Sequence, residues 1–168
     1  MQKSTKGILW GIFLLYLLLL TYQLLMKYYS ISQIGRLLLF QEEGLFFLKE
    51  VNLVPFHTIQ SYVQIEGTTF LSAMRNLIGN VIGFVPFGFF AGLLIFKRPT
   101  WLKVIGATFM CSLFYETVQY IFTLGLFDVD DLLLNTLGGA IGYGCYWIMK
   151  RYLGRLKRNR VTTQHSLR

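Results

Sequence analysis

Charged residues are scarce in this sequence, and acidic residues are the scarcest. Of the 168 residues, 14% are charged, 54% are hydrophobic and 17% are aromatic, and Asp and Glu together number eight. About a quarter of the residues in an ordinary soluble domain are charged, so the composition argues against that class. The chain is expected to be a membrane protein.

Several motifs and residue groups on which common enzymes depend are also missing. The sequence contains no HExxH and no GxSxG motif, which argues against those zinc peptidases and serine hydrolases. Its two histidines, His57 and His165, lie outside the long apolar runs, and we expect them to be incidental. Cys111 and Cys145 lie inside such runs and suit a packing role, because two cysteines make no disulfide framework or metal motif. We therefore predict no cofactor.

Long apolar runs dominate the chain. A helix rises 1.5 Å per residue, so crossing a bilayer takes about 20 residues. The first run is too long for a signal-peptide core and is followed by no small-residue cleavage site, so we expect a retained anchor. The predicted fold class is all-α, a polytopic membrane protein with about four transmembrane helices in a small bundle. The predicted spans are residues 7–26, 75–96, 101–122 and 131–149.

Residues 1–150 are expected to form a single transmembrane domain. Within the long connection after the first span, residues 30–50 mix apolar residues at helical spacing with several charges. That pattern is too polar to span and predicts an interfacial helix on the outer leaflet. Pro55 then prevents a continuous helix. Residues 151–168 form a basic tail.

The net charge of +8 is distributed unevenly between the predicted sides of the membrane. The N-terminus, the turn at residues 97–103, Lys150 and the tail together carry twelve basic residues and no acid, against four basic residues on the other side. This positive-inside bias places both termini in the cytoplasm of a multi-pass protein of the cell membrane. Attraction to anionic membrane lipid explains the tail without a nucleic-acid partner.

Polar residues recur along one face of the third span. Ser112, Glu116, Gln119 and Thr123 follow at i, i+4, i+7 and i+11, which is one stripe of a helix. Glu116 lies about 9 Å from the outer end of the span at 1.5 Å per residue. Burying a carboxylate among lipid tails is costly, so this side chain is expected to face protein or a wet cavity.

The neighbouring spans supply further polar residues at the same outer level, at four-residue spacing in the second and fourth spans. We therefore predict an outward-facing polar pocket with metal binding undecided. Its predicted lining is Asn76, Asn80, Glu116, Gln119, Asp128, Asp131 and Asn135. An alternative is that the amides only cross-link helices, that Asp128 and Asp130 are solvated loop charges, and that Asp131 caps the fourth helix.

Glycines predict where helices approach closely. In the second span they are Gly79, Gly83, Gly88 and Gly92, of which the first two form a small-xxx-small pair. The fourth span has Gly138, Gly139 and Gly142 on overlapping faces.

Four segments together resemble the VanZ-like family of small membrane proteins. They are "NLVPF", "NLIGNVIGFVPFG", "ETVQ" and "FDVDDLLLNTLGGAIGY", and they extend over roughly residues 52–143. The resemblance implies a protein of the bacterial cytoplasmic membrane that lowers susceptibility to glycopeptide antibiotics such as teicoplanin in Gram-positive hosts. Many members carry an Arg shortly before the acidic run, where this chain reads "FTLGLFDVDD". The resemblance brings no catalytic residues with it.

Three functions remain open from the sequence. The favoured hypothesis is a non-enzymatic envelope protein whose pocket binds membrane lipid or an amphiphilic, lipid-linked ligand at the outer leaflet. The alternative is an intramembrane enzyme or a metal-dependent protein acting on lipid-linked headgroups, with Glu116 and Asp128 or Asp131 as acid and base or as ligands. A transporter built on Glu116 is the third, and the lack of internal repeats disfavours it.

Overall fold

Nearly all of the described chain is helical. The computed structural model describes residues 3–25, 51–63, 68–122 and 124–166. The predicted interfacial helix at residues 30–50 therefore lies outside the described residues. The described elements are α1 (Lys3–Leu25), β1 (Val51–Asn52), α2 (His57–Val63), α3 (Thr68–Phe90), a π-helical continuation of α3 (Ala91–Ile95), α4 (Trp101–Ile121), β2 (Phe127–Asp128) and α5 (Val129–Ser166).

Two of the described helices are long and apolar enough to cross a membrane. They are Lys3–Leu25 and Met74–Ile95, which overlap the predicted spans at 7–26 and 75–96. Helices α4 and α5 include the predicted spans at 101–122 and 131–149 almost completely, but their crossing stays a prediction. The expectation of a helical fold is thus met and these two helices suit a membrane, whereas the number of crossings is not decided by helix length and composition.

Local sequence explains where α4 begins. The π-helical continuation of α3 ends at Ile95, and Pro99 then disfavours a helical conformation for Arg98, the residue before it. Thr100 is the N-cap of α4, with an extended backbone and a side-chain oxygen that accepts a hydrogen bond from the Lys103 backbone N–H at 3.4 Å. The turn between α3 and α4 is therefore short and ends at a defined residue.

Helices α3 and α5 pack backbone against backbone through glycine. A Cβ atom at Gly142 would lie 1.9 Å from the carbonyl oxygen of Val85, and one at Gly138 would lie 2.1 Å from that of Val81. No other residue fits at such an approach. The predicted role of these α5 glycines in close packing is confirmed.

In α3, the expectation for the first two glycines was wrong. Among the described residues, a Cβ at Gly79 would meet nothing within 4 Å, and one at Gly83 would make only an ordinary contact with Leu20. The close approaches in α3 and its π-helical continuation are at Gly88 and Gly92. A Cβ at Gly88 would lie 1.9 Å from the Gly139 carbonyl oxygen. The spacing of two glycines cannot show which of a helix's faces meets a neighbour.

Helix α1 packs on α3 mainly through aromatic rings and leaves most of its surface open. Phe13 is 2% exposed, and its ring centroid lies 5.3 Å from that of Phe90. The Tyr16 hydroxyl donates to the Gly83 carbonyl at 2.7 Å. Leu15 and Leu18 are more than half exposed, as suits a helix that faces lipid.

Helix α5 continues without a break from the polar end of the bundle into the basic tail. It has 38 residues, and at 1.5 Å per residue it is about 57 Å long. A hydrocarbon core is about 30 Å thick, so the helix extends well beyond the bundle. The predicted tail at 151–168 is therefore helical up to Ser166 and continuous with the rest of α5.

Candidate functional site

The ends of three helices and one extended segment meet at the polar end of the molecule. Strand β1 pairs in parallel with β2, with Val51 opposite Phe127 and Asn52 opposite Asp128. This pairing brings the segment before α2 against the start of α5, 76 residues later in the chain. Two of the four sequence segments that suggested a family, "NLVPF" and "FDVDD", are thus in direct contact.

Asp128 joins these segments and also begins α5. Its Oδ1 atom accepts from the Asn52 side-chain amide at 3.0 Å and from the Asp130 backbone N–H at 2.9 Å, and its Oδ2 accepts from the Thr58 hydroxyl at 2.6 Å. The bond to the second residue of the helix is the N-cap interaction, which Asp favours. Asp128, rather than Asp131, therefore caps α5.

Asp130 is fully buried and holds the start of α2. Its Oδ1 accepts from the Phe56 backbone N–H at 2.5 Å, and its Oδ2 accepts from the backbone N–H groups of Thr58 and Ile59 at 2.9 and 3.1 Å. These are charge-assisted bonds to donors that a helix start leaves without internal partners. The interpretation of Asp130 as a solvated loop charge was wrong, because its carboxylate is an internal anchor.

The turn that Asp130 holds has an unusual backbone. Phe56 has a φ of 66°, the only positive φ at a non-glycine residue in the described chain. This left-handed region is costly for a residue with a side chain. The Phe56 N–H points at a buried carboxylate in this conformation, so that hydrogen bond helps to hold the turn.

The two faces predicted on α3 and α5 meet below this turn. The Asn80 side-chain amide donates to Asp131 Oδ1, and both residues are buried. One turn deeper, the Asn135 amide donates to the Ser112 hydroxyl at 2.9 Å, which links α5 to α4. The Asn135 Oδ1 atom is buried and has no hydrogen-bond partner among the described residues.

Glu116 and Gln119 occupy the same stripe of α4 but have different partners. Glu116 is 2% exposed, and its Oε2 accepts from the Asp128 backbone N–H at 3.2 Å. The Gln119 amide instead crosses to α1 and donates to the Leu24 carbonyl at 3.1 Å. Glu116 therefore belongs to the acid-rich cluster, whereas Gln119 joins two helices.

A cavity of about 210 Å³ opens beside this cluster. Residues with carboxylate and hydroxyl side chains line it, and α2 forms one wall. Its lining residues are His57, Thr58, Ser61, Asn76, Leu126, Asp128 and Asp131.

Three of the seven predicted pocket residues line this cavity: Asn76, Asp128 and Asp131. The other four are not among its lining residues: Asn80 and Glu116 are hydrogen-bonded to the lining residues Asp131 and Asp128, whereas Asn135 and Gln119 are hydrogen-bonded to Ser112 and Leu24. Sequence reasoning did not place the α2 residues in the site and treated His57 as incidental. The available signal was the "NLVPF" segment, which directly precedes His57, but no sequence spacing connects that segment to "FDVDD".

The carboxylates are arranged to accept hydrogen bonds from the protein itself. Every oxygen of Asp128 and Asp130 has at least one donor, as described above. Within the described parts of the chain, no three His, Cys, Asp or Glu side chains are grouped so that they could hold a metal ion. The arrangement suits the positioning of a loop and the binding of polar groups in the cavity.

The chain is similar in sequence to known proteins. The family model described as VanZ/LLP1 matches residues 13–150. The chain is also 30% identical over 113 residues to the protein named VanZ from Enterococcus faecium, an alignment that covers 67% of this chain and 62% of that relative. The match thus spans less than two thirds of the relative's length. No solved structure matches the chain significantly.

Proposed function

This chain belongs to the VanZ/LLP1 family, and from that premise we propose that it is a cell-envelope membrane protein that lowers susceptibility to glycopeptide antibiotics such as teicoplanin. It does so by binding a lipid or an amphiphilic, lipid-linked ligand in an outward-facing polar pocket. The observation that carries the proposal is the cavity of about 210 Å³ lined by polar groups of α2, α3 and α5. A headgroup can make several hydrogen bonds there while its tails remain in the bilayer.

Exposed apolar faces on the remaining helices support a four-span arrangement in the membrane. On α4, Met110, Phe114 and Ile121 share one face and are each at least half exposed. On α5, Leu137 and Ile141 are 52% and 45% exposed at four-residue spacing. Such surfaces are unfavourable in water and favourable against lipid. We therefore propose that residues 1–150 form one domain with four spans and that both termini are cytoplasmic.

Susceptibility testing separates a role of the cavity from a merely structural one. We expect Asp131→Asn to abolish most of the protection from teicoplanin in a susceptible Gram-positive host, because the cavity loses a negative charge. Asn80 donates to Oδ1 of Asp131, and an asparagine keeps an oxygen for that bond, so folding should be preserved. Teicoplanin and vancomycin inhibition should be measured at matched expression, since the lipid tail of teicoplanin distinguishes the two drugs.

A matched pair on α2 supplies the control. His57 lines the cavity, whereas Gln60 is exposed on the same helix and does not. His57→Ala should reduce protection and Gln60→Ala should leave it unchanged. Full protection by both His57→Ala and Asp131→Asn would eliminate the cavity as the site of action.

The alternative function is an enzyme or metal-dependent protein acting on lipid-linked headgroups. The observation in its favour is that an imidazole, His57, and two carboxylates, Asp128 and Asp131, reach one cavity, since such groups can exchange protons. It is tested by incubating purified protein in nanodiscs with a lipid-linked headgroup substrate, with and without EDTA. Product formation that Asp131→Asn removes would favour this alternative, and unchanged substrate would favour a binding role.

A further inference from the structure

The opposite end of the molecule carries a second surface, on the extension of α5. No acidic residue follows Asp131 in the sequence, whereas Lys150, Arg151, Arg155 and Arg158 lie within nine positions. The residues from 150 to 156 are exposed. A concentration of positive charge on a helix attracts an anionic partner.

Helical spacing gathers part of this charge on one face with an aromatic residue. Trp147, Arg151 and Arg155 follow at i, i+4 and i+8, so they lie on the same side of α5. The Arg151 guanidinium lies 5.1 Å from the centre of the Trp147 ring, and Lys150 lies 5.8 Å from the Tyr146 ring. These are cation–π contacts, and they orient both cations beside aromatic rings.

The depth of these residues fits a membrane surface. Tryptophan is enriched at the boundary between hydrocarbon and headgroups. If Trp147 marks that boundary, Arg151 lies about 6 Å further along the helix and Arg155 about 12 Å further, at 1.5 Å per residue. The headgroup region adds roughly 5 to 7 Å on each side of the hydrocarbon core. Arg151 then lies among the headgroups, and the long Arg155 side chain can reach back to them.

We propose that Trp147, Arg151 and Arg155 form a binding face for the phosphate of an anionic phospholipid in the leaflet at which α5 leaves the bundle. Guanidinium groups bind phosphate with two parallel hydrogen bonds, which gives Arg an advantage over Lys in this role. The continuity of α5 across the predicted boundary at residue 150 keeps this face in a constant position relative to the bundle. The lipid site is separate from the polar cavity at the other end.

Tryptophan quenching in nanodiscs tests the proposal on the full chain. Trp10→Phe and Trp101→Phe leave Trp147 as the reporter, since the sequence has three tryptophans. Brominated phosphatidylglycerol or brominated phosphatidylcholine is titrated into phosphatidylcholine nanodiscs. We expect half-maximal quenching at about fivefold lower mole fraction for the glycerol lipid, which corresponds to one well-placed charge. Equal quenching by the two lipids would overturn the proposal without any further variant.

Two double substitutions then distinguish lipid binding at this face from a general effect of positive charge. Arg151→Gln with Arg155→Gln should remove the difference between the lipids, and circular dichroism checks that the exposed substitutions preserve helicity. Lys97→Gln with Arg98→Gln removes two exposed cations at the α3–α4 turn and should retain the difference. Loss of the difference in both would show a general charge effect and reject the face. Binding of duplex RNA to nanodiscs of pure phosphatidylcholine at physiological salt, lost in the Arg variant, would also reject a lipid site.

Discussion

The middle and the polar end of the bundle are held together in different ways. In the middle, α3 and α5 touch through glycine, and carbonyl oxygens occupy the space where a Cβ at Gly138 or Gly142 would be. At the polar end, buried carboxylates accept hydrogen bonds from a distant segment, and Asp130 alone holds three backbone N–H groups of that segment. The first contact depends on shape and the second on charge and direction.

This difference indicates where the molecule can carry a ligand. Close backbone packing leaves no room for one, and each added atom must displace the main chain. Hydrogen-bonded segments leave gaps between them, and the cavity lies beside such a segment, with α2 as one wall. The glycine contact therefore sets the spacing of the helices, while the acidic residues shape the opening at their end.

The largest expected effect is in the middle. Gly142→Ala should lower the free energy of unfolding by about 4 kcal/mol, because its Cβ would lie 1.9 Å from the Val85 carbonyl oxygen and the backbone must move. Thermal unfolding of the purified protein in detergent measures the change.

Gly144→Ala is the matched control, two residues further along α5. A Cβ there would make only an ordinary contact of 3.6 Å with Trp101, so alanine should be neutral or stabilising by about 0.5 kcal/mol. Equal losses of stability at Gly142 and Gly144 would show that the close approach to Val85 is not the cause of the loss.

An intermediate effect is expected at the polar end. Asp130→Asn should destabilise by about 2 kcal/mol, because one of the two carboxylate oxygens becomes an amide NH₂ that faces a backbone N–H, and two donors cannot bond to each other. The unfolding temperature in detergent is again the measurement, together with proteolysis near residue 56 as a sign that the turn has come loose.

Asp128→Asn tests whether charge or geometry decides this loss. An asparagine at this position keeps an oxygen for the two N–H donors to Oδ1, and its NH₂ can donate to the Thr58 hydroxyl, which can also accept. It should therefore cost no more than about 1 kcal/mol. If Asp128→Asn is as damaging as Asp130→Asn, the loss follows from removal of charge alone.

The smallest effect concerns the turn itself. Phe56→Gly removes the energetic cost of a positive φ but adds conformational freedom to the unfolded chain. These two effects should cancel to within about 0.5 kcal/mol. Val54→Gly, at an exposed residue of the same segment with no positive φ, should instead destabilise by about 1 kcal/mol. A larger loss at Phe56 than at Val54 would mean that the Phe56 ring stabilises the turn.

Much of the helical layout could be predicted from the sequence, because apolar runs and breaking residues act locally. Pro99 and Thr100 mark the start of α4 in the structure as their chemistry requires. The polar stripe on α4 was also readable, since Ser112, Glu116 and Gln119 are spaced as one helix face and are all buried. The hydrogen-bond partner of each residue could not be predicted from this spacing. Gln119 is hydrogen-bonded to α1 rather than to a residue that lines the cavity.

The roles of Asp130 and His57 are the clearest cases that could not be predicted from the sequence. Both follow from the parallel pairing of β1 with β2, which joins residues 76 positions apart, as Asn52 and Asp128 are. Hydrogen bonds of such long range leave no periodic trace in a single sequence, because each segment looks like an ordinary polar loop. The family resemblance named both segments but did not indicate that they touch.

By itself, the sequence determined that this protein is helical and suited to a membrane, that its positive charge is concentrated in the tail and that acidic residues are grouped near residue 130. These properties depend on composition and local spacing, so they are present in the chain before it folds. Only the tertiary structure decided which acids are internal anchors, which line the cavity and which glycines bring α3 against α5. Those roles depend on contacts between distant segments, and a carboxylate becomes an anchor only where folding brings donors to it.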